Sequence, residues 1–353
     1  MFNFLLVFFS LIFLLALHEF SHFLAAKKFG ISVEEFGIGY PPRIFGKKFG
    51  ETFYSINLLP LGAFVKIEEK GEKSFYSQPL LRRMFVVLAG VVSFWLIACI
   101  IFIFLFKFGA PVAISDEEIS NTAKLQIINI AKNSPAEDAK LQIGDTIKEI
   151  RIKDLVFKIE KTKQLQEIIQ KHKGERMILK IERGKEIFDV EVVPRVNPPP
   201  GEGPIGIVFV RIDIKKYPLL KSISEGMKTT GNLTVEIFKG YFGAFKNLFR
   251  GVSPQVELIG TVGTFNIMYQ TSKMGLVYFF NLLAVISVYL AVFNSFPIPA
   301  LDGGRLLFLL IEGIRKKPIS RETENKIITV SFGILIMLAI IITIKDFNKI
   351  LKQ

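Results

Sequence analysis

The sequence predicts a polytopic α-helical membrane protein of about four transmembrane helices, with a small soluble α+β region inserted among them. Half of the residues are hydrophobic, 35 are Phe, and the mean hydropathy is +0.41, a composition too apolar for an ordinary soluble chain of this length. Four apolar runs, 2–26, 84–106, 276–293 and 327–344, approach or exceed the roughly 20 helical residues that cross a bilayer. Between the second and third runs, from about residue 110, aromatic content falls and charge rises.

The first run has no basic n-region and no small-residue cleavage pattern after it, so it reads as a span and not as a secretory signal. Lys27, Lys28, Arg43, Lys47 and Lys48 follow it, and Arg82 and Arg83 stand at the mouth of the second run. The connection between the third and fourth runs repeats the bias with Arg305, Arg315, Lys316, Lys317, Arg321 and Lys326. Short basic loops stay in the cytoplasm. Both termini and the region between the second and third runs are therefore expected outside. That central region is too long for its own charge to decide orientation.

The formal net charge of +13 does not indicate a nucleic-acid partner. The excess lies in loops flanking spans and in scattered lysines, without a basic helix interleaved with stacking aromatics. Membrane lipid is the surface it suits. Cys99, the single cysteine, excludes an intrachain disulfide and falls in the second span, where a small apolar role is its default.

In the central region, 125–130 reads as a strand, "NSPAEDAKLQIGD" as a turn, a short helix and a second turn, and 146–152 as another strand. Residues 164–171 read as a helix, and 177–182 with 186–193 as a hairpin across "RGKE". "VNPPPGEGP" at 196–204 reads as a Pro/Gly linker that closes the region. Beyond it, Phe238, Tyr241, Phe242, Phe245, Leu248 and Phe249 recur at helical spacing. An interfacial helix and a helix packed on the rest of the protein both fit that stripe. Residues 53–65 carry Pro60 and Gly62 and read as extended chain close after the first span.

The chemistry is concentrated in "HEFSH". His18 and His22 stand four apart, so on a helix they face one way and can offer two imidazoles to one ion. Glu19, one residue along, can reach a water at that ion without being a ligand, take its proton, and hand it to a leaving amine. Three ionisable groups within five residues of a membrane helix are costly unless paired, and a metal removes that cost. A zinc site asks for a third protein ligand and keeps a fourth position for water. His172, the remaining histidine, lies in the presumed outside region, so a carboxylate on another membrane element is needed.

"NSFPIPALDGGR" at 294–305 supplies the outstanding candidate. Pro297 and Pro299 break the helix and free backbone groups that lipid would not tolerate but a water-lined cavity would. Gly303 and Gly304 permit a close approach to another element, and Asp302 heads the following helix. Taken alone, "DGG" also fits a turn and helix cap at the membrane surface.

These motifs resemble the site-2 protease family of intramembrane zinc metalloproteases, and within it the bacterial regulator-of-sigma-E-protease-like branch, which cleaves anti-sigma factors and signal-peptide remnants. "FGIGYPPRIFG…FYSINLLPLGAFVKI" is similar to the membrane re-entrant β-hairpin that follows the first catalytic helix of that family, and "RRMFVVLAG" to the opening of its second span. "SPAEDAKLQIGDTIKEI" at 134–150 resembles bacterial PDZ domains, with Lys140 where glycine is usual. The resemblance implies Zn2+ held by His18, His22 and Asp302, with Glu19 as catalytic acid and base. It also implies a substrate-positioning role for Asn294 of the NxxPxPxLDG pattern.

The expected division is 1–108 for the first membrane part, 110–197 for an extracytoplasmic peptide-binding PDZ domain, 198–275 for a linker and interfacial segment, and 276–353 for the second membrane part. Expected partners are single-pass transmembrane substrates and lipid, in the bacterial cytoplasmic membrane, with the active site reached from the cytoplasm. The sequence departs from the family in "AGVVSF", with Val91 where proline and Ser93 near where asparagine are usual, in "GTV" at 260–262 where "GPI" is common, and in its solitary PDZ unit. A metal transporter and a membrane-anchored PDZ scaffold are the rival classes. The first would use Glu19 in ion passage, and the second would need no intramembrane cluster.

Overall fold

The computed structural model describes residues 1–184, 186–250 and 259–351, and within that range the side chains of Leu61, Phe245, Leu248, Phe249 and residues 348–351 lie outside what is described. The chain divides into two compact units. One comprises 1–102, 224–269 and 282–353, and the other 103–223 and 270–281.

The first unit begins with α1 (Phe2–Lys28), a helix with neither glycine nor proline to interrupt it. A β ribbon follows, formed by β1 (Val33–Phe49) and β2 (Thr52–Ile67), as the extended reading of 53–65 requires. The ribbon folds back on itself, which local sequence does not reveal. Phe36 pairs with Tyr54 on one side and with Val65 on the other, while 43–49 pairs with 52–57. The spatial order is thus 43–49, 52–57, 33–38, 63–67, and the last stretch is an edge. Next comes α2 (Leu80–Phe108).

The second unit is built on a sheet of seven strands: β3 (Ala110–Ala113), β4 (Lys124–Ile130), β5 (Thr146–Ile152), β6 (Leu155–Lys158), β7 (Met177–Arg183), β8 (Glu186–Val192) and β9 (Ile207–Lys215). The strand order is β3-β9-β4-β5-β7-β8, with β6 beside β5. A one-turn helix α3 (Pro135–Asp138) is capped by Ser134, and α4 (Thr162–Lys171) buries Leu165 and Ile169 against the apolar face of the sheet.

The Pro/Gly run at 196–204 does not close this unit. Ile207–Ile130 and Lys124–Ile212 are paired ends of one ladder, and β3 pairs with the far half of β9. The run is a loop between two strands of the same sheet, because the residues after it alternate and bury Ile207 and Arg211.

Helix α5 (Leu219–Phe249) comes next. In the first unit Trp95 Nε1 of α2 donates to Thr234 Oγ1 of α5 at 3.0 Å, and Phe238 and Tyr241 ring-pack on Phe296. Of the two readings of this stripe, the packed helix describes those contacts. The chain continues through α6 (Thr261–Met274) and turns at Gly275, whose φ of +126° suits glycine. It then forms α7 (Leu276–Ser295), α8 (Asp302–Arg315) and α9 (Arg321–Leu351). The break between α7 and α8 falls where Pro297 and Pro299 remove amide donors.

Among the described residues, four helices are long and apolar enough to cross a membrane: Phe2–Lys28, Leu80–Phe108, Leu276–Ser295 and Arg321–Phe347. They coincide with the four expected runs, and the chain is a multi-pass membrane protein.

The start of α4 is held by a remote carboxylate. Asp116 accepts from the amides of Thr162 and Lys163, each at 2.9 Å, and from the Thr162 hydroxyl at 2.6 Å. Desolvation would raise this carboxyl, but these bonds, with Arg211 nearby, outweigh it and hold it below the ordinary carboxylate value. A folded-state value below the unfolded one stabilises at neutral pH, and that stabilisation is lost as pH falls through the folded value. Asp116→Asn is therefore expected to flatten the acid limb of stability below about pH 4, measured as the unfolding midpoint of this unit between pH 6 and pH 2.5. An unchanged acid limb would exclude Asp116 as a contributor.

Candidate metal centre

The four-residue spacing on α1 places His18 and His22 on one face, and both are buried. Each ring is held from behind by the backbone of α2. Nδ1 of His18 lies 2.9 Å from the carbonyl oxygen of Gly90, and Nδ1 of His22 lies 2.9 Å from that of Val86. A carbonyl only accepts, so each Nδ1 carries the proton and each Nε2 presents a lone pair. Phe94 stacks on the His18 ring at 4.4 Å, and Ser21 Oγ donates to the carbonyl of Ala89 at 3.0 Å. The imidazoles are thereby fixed in tautomer and in orientation.

Asp302 arrives at the first position of α8. That approach depends on the two glycines after it, since a Cβ at Gly303 would meet the carbonyl oxygen of Phe296 at 2.3 Å and one at Gly304 that of Ile298 at 2.1 Å. The close approach expected from the glycines is thus made, and the element approached is the chain's own broken segment. Asp302 Oδ2 lies 3.5 Å from His18 Nε2 and 3.3 Å from His22 Nε2. It is buried and makes no hydrogen bond to a described residue.

A tetrahedral ion with ligands at roughly 2.0–2.1 Å sets its ligand atoms about 3.3 Å apart. The separations of 3.5 and 3.3 Å are close to that value, and the ligand atoms of all three residues lie within 4.8 Å of one another. Two neutral imidazoles and a carboxylate form a donor set suited to zinc with one position left open.

The wall of this cluster is Gly90. A Cβ there would stand 2.1 Å from His22 Nε2 and 2.7 Å from Asp302 Oδ2. Glu19 is half-buried on the same turn of α1. Its carboxylate lies against the backbone amide of Val65 in the edge stretch of β2, and His22, Asp302 and Arg305 are within its electrostatic reach.

Asn294, in the last turn of α7, donates to the carbonyl of Leu290 at 2.9 Å and is not one of the clustered donors. His172 pairs with Glu175 in the other unit. Sequence reasoning passed over the carbonyls of Val86 and Gly90 and the missing side chain of Gly90. "LAG" was visible as a motif, but backbone acceptors leave no mark on a sequence.

A family model described as peptidase family M50 matches residues 6–338. The chain belongs to peptidase family M50. It is 34% identical over 339 residues to a zinc metalloprotease of Clostridium perfringens, covering 94% of this chain and 95% of that one. It is 25% identical to the regulator of sigma E protease of Haemophilus influenzae, with 96% of each covered, and 25% identical to the regulator of sigma-W protease RasP of Bacillus subtilis, with 98% of each covered. This M50 chain is a metalloendopeptidase.

If the open space beside Gly90 is where a metal sits, Gly90→Ala should abolish zinc retention while leaving the four helices folded. Metal analysis of the purified variant, with circular dichroism alongside, decides this. Full zinc content in that variant would mean the ion binds elsewhere.

Proposed function

We propose that this metalloendopeptidase is an intramembrane zinc protease of the site-2 type, which hydrolyses peptide bonds within the transmembrane segments of single-pass membrane proteins. His18, His22 and Asp302 hold zinc, and Glu19 is the general base and acid. The observation that carries this reading is the buried Asp302 Oδ2, without a hydrogen bond to any described residue, set against two imidazole nitrogens whose other nitrogens are already engaged. When bound, zinc makes water acidic enough to attack at neutral pH and polarises the scissile carbonyl.

The remaining steps belong to the chain. Glu19 takes the proton of the attacking water and returns it to the leaving amine as the peptide bond opens. The α2 carbonyls keep both imidazoles presenting Nε2 throughout. Gly90 leaves open the space beside His22 Nε2 and Asp302 Oδ2 that a side chain there would fill.

The β ribbon is read as the membrane re-entrant element of the family. Ile44, Phe45, Phe49, Ile56 and Leu58 project outward from it, as a ribbon facing lipid would require. Its edge at 63–67 lies beside Glu19, where an unwound substrate can add as a strand. The seven-stranded unit is read as the PDZ domain, extracytoplasmic along with both termini. A groove of about 290 Å³ runs between α4, at Gln166, Ile169 and Gln170, and the stretch 203–209. Among the described residues, β9 from Ile207 to Val210 pairs with β4 alone, since β3 ends opposite Ile212 and the amide of Ile114 bonds the carbonyl of Arg211. That leaves a free edge beside the groove, suited to an extended peptide.

The substrate class follows from relatives named as regulators of sigma E and sigma-W. Membrane-bound anti-sigma factors and signal-peptide remnants are the proposed substrates in the bacterial cytoplasmic membrane. Asn294 is assigned to substrate placement, next to the broken segment.

Glu19→Gln should keep zinc and lose cleavage by at least about a hundredfold, scored on a tagged single-pass substrate co-expressed with the full chain. Retained cleavage would sink the acid–base role, and changed ion flux without cleavage would favour a transporter. Replacing helix-breaking residues near the cut by leucine should slow cleavage, because strand addition needs an unwound segment. Indifference to that change would remove the strand-addition step.

A further inference from the structure

A largely buried ion pair lies at the far end of α8. Arg83, in the first turn of α2, forms a two-pronged pair with Glu312 of α8. Its Nη1 donates to Oε2 at 3.0 Å and its Nη2 donates to Oε1. The side chains are 6% and 19% exposed, and the guanidinium stands 6.0 Å from the centre of the Phe75 ring. Neither residue touches the cluster at His18, His22 and Asp302.

We infer that Arg83 and Glu312 are positioning residues, which fix the register of α8 along α2 and thereby set Asp302 against the two histidines; this rests on the zinc role proposed above. Three contacts define an antiparallel packing of the two helices. Asp302 lies against Gly90, Glu312 binds Arg83, and a Cβ on Gly313 would meet Leu80 Cδ2 at 2.9 Å. As α8 advances from 302 to 313, its neighbour on α2 retreats from 90 to 80.

The geometry of α2 makes the link to the site direct. Arg83, Val86 and Gly90 stand at i, i+3 and i+7, so they occupy one stripe of that helix. Val86 and Gly90 hold the histidines of α1 by their carbonyls, and Arg83 holds the helix that carries Asp302. One stripe therefore gauges both halves of the ligand set.

A slip of α8 by one turn would move Asp302 about 5.4 Å, whereas its oxygen now sits at 3.3 and 3.5 Å from its neighbours. Helix packing alone tolerates such slips, because ridges repeat each turn. A fork of two hydrogen bonds to a planar guanidinium does not. The pair is also poorly suited to a purely stabilising role, since desolvation of two such charges offsets much of their attraction.

The test uses the purified full chain in detergent, with zinc affinity measured by chelator competition and the visible absorption of the cobalt-substituted chain recorded well below the unfolding temperature. Glu312→Gln and Arg83→Lys each remove the fork, and Arg83→Lys preserves the charge. Each is expected to weaken zinc at least about tenfold and to alter the cobalt spectrum. The exchange R83E/E312R is expected to recover most of both. Thr234→Val, which removes the Trp95 hydrogen bond on α5, serves as the control for lost stability.

Unchanged zinc affinity and cobalt spectrum in Arg83→Lys and Glu312→Gln, whatever their melting temperatures, would overturn the inference. So would an equal loss of zinc in Thr234→Val. Failure of the underlying reading is distinguishable, because then the wild type would bind no zinc or His18→Ala would bind it unimpaired.

Discussion

A carboxylate oxygen buried among apolar helices without a hydrogen bond to any described residue is an expensive object, and the first unit of this protein is organised around one. Asp302 Oδ2 faces two imidazole nitrogens that α2 has already oriented by bonding the opposite side of each ring. Left alone, such a group would cost several kcal/mol. With a divalent cation between the three side chains, the same arrangement becomes favourable, because each presented lone pair finds an acceptor of electrons. Three helices must then hold position to within tenths of an ångström. α1 offers the nitrogens, α2 offers carbonyls and the bare Cα of Gly90, and α8 offers the oxygen.

That division of labour explains what could be read from the sequence. His18, Glu19 and His22 are legible because helical periodicity turns a spacing of four into a shared face. The contribution of Asp302, far along the chain, is legible because proline and glycine interrupt an apolar run where lipid would not permit it. The other half of the site is made of backbone. The carbonyls of Val86 and Gly90 exist in every helix, and only their placement opposite two imidazoles gives them a role. The same blindness covers the β ribbon, whose pairing on both sides of 33–38 depends on how the ribbon folds over and not on its alternation. It also covers β9, which sits behind a Pro/Gly run with the composition of a boundary.

Two departures from the family pattern lie in α2, at 91 and 93, and at the start of α6. Val91 is buried, and Ser93 Oγ donates to the carbonyl of Gly90 at 2.6 Å, the carbonyl that His18 also uses. What α2 supplies to the cluster is backbone oxygen, the absent side chain of Gly90 and the Phe94 ring stacked on His18, and none of these is the side chain at 91. At 260–262, where proline is common, Thr261 opens α6 and the amides of Gly260 and Gly263 are bonded by Asp346 Oδ2 of α9 at 2.9 and 2.8 Å. Proline starts a helix by having no amide to satisfy there; here a carboxylate from another helix bonds the amides at 260 and 263, on either side of that position. Both glycines are needed, since a Cβ on either would stand 2.8 Å from that oxygen.

The placement of the β ribbon completes the proposed chemistry. A transmembrane helix keeps its carbonyls in hydrogen bonds, and inside lipid it has no water with which to replace them. Opening it for hydrolysis therefore requires another partner for the backbone, and a strand edge is the partner proteins use for extended chain. The stretch 63–67 is such an edge, and the amide of Val65 lies against the carboxylate of Glu19. Under the proposed mechanism, the surface that stabilises an unwound segment and the group that moves the proton are thus neighbours. A peptide bond would reach Glu19 in the extended form from which it can be cut, and a segment that stays helical would pass the site intact.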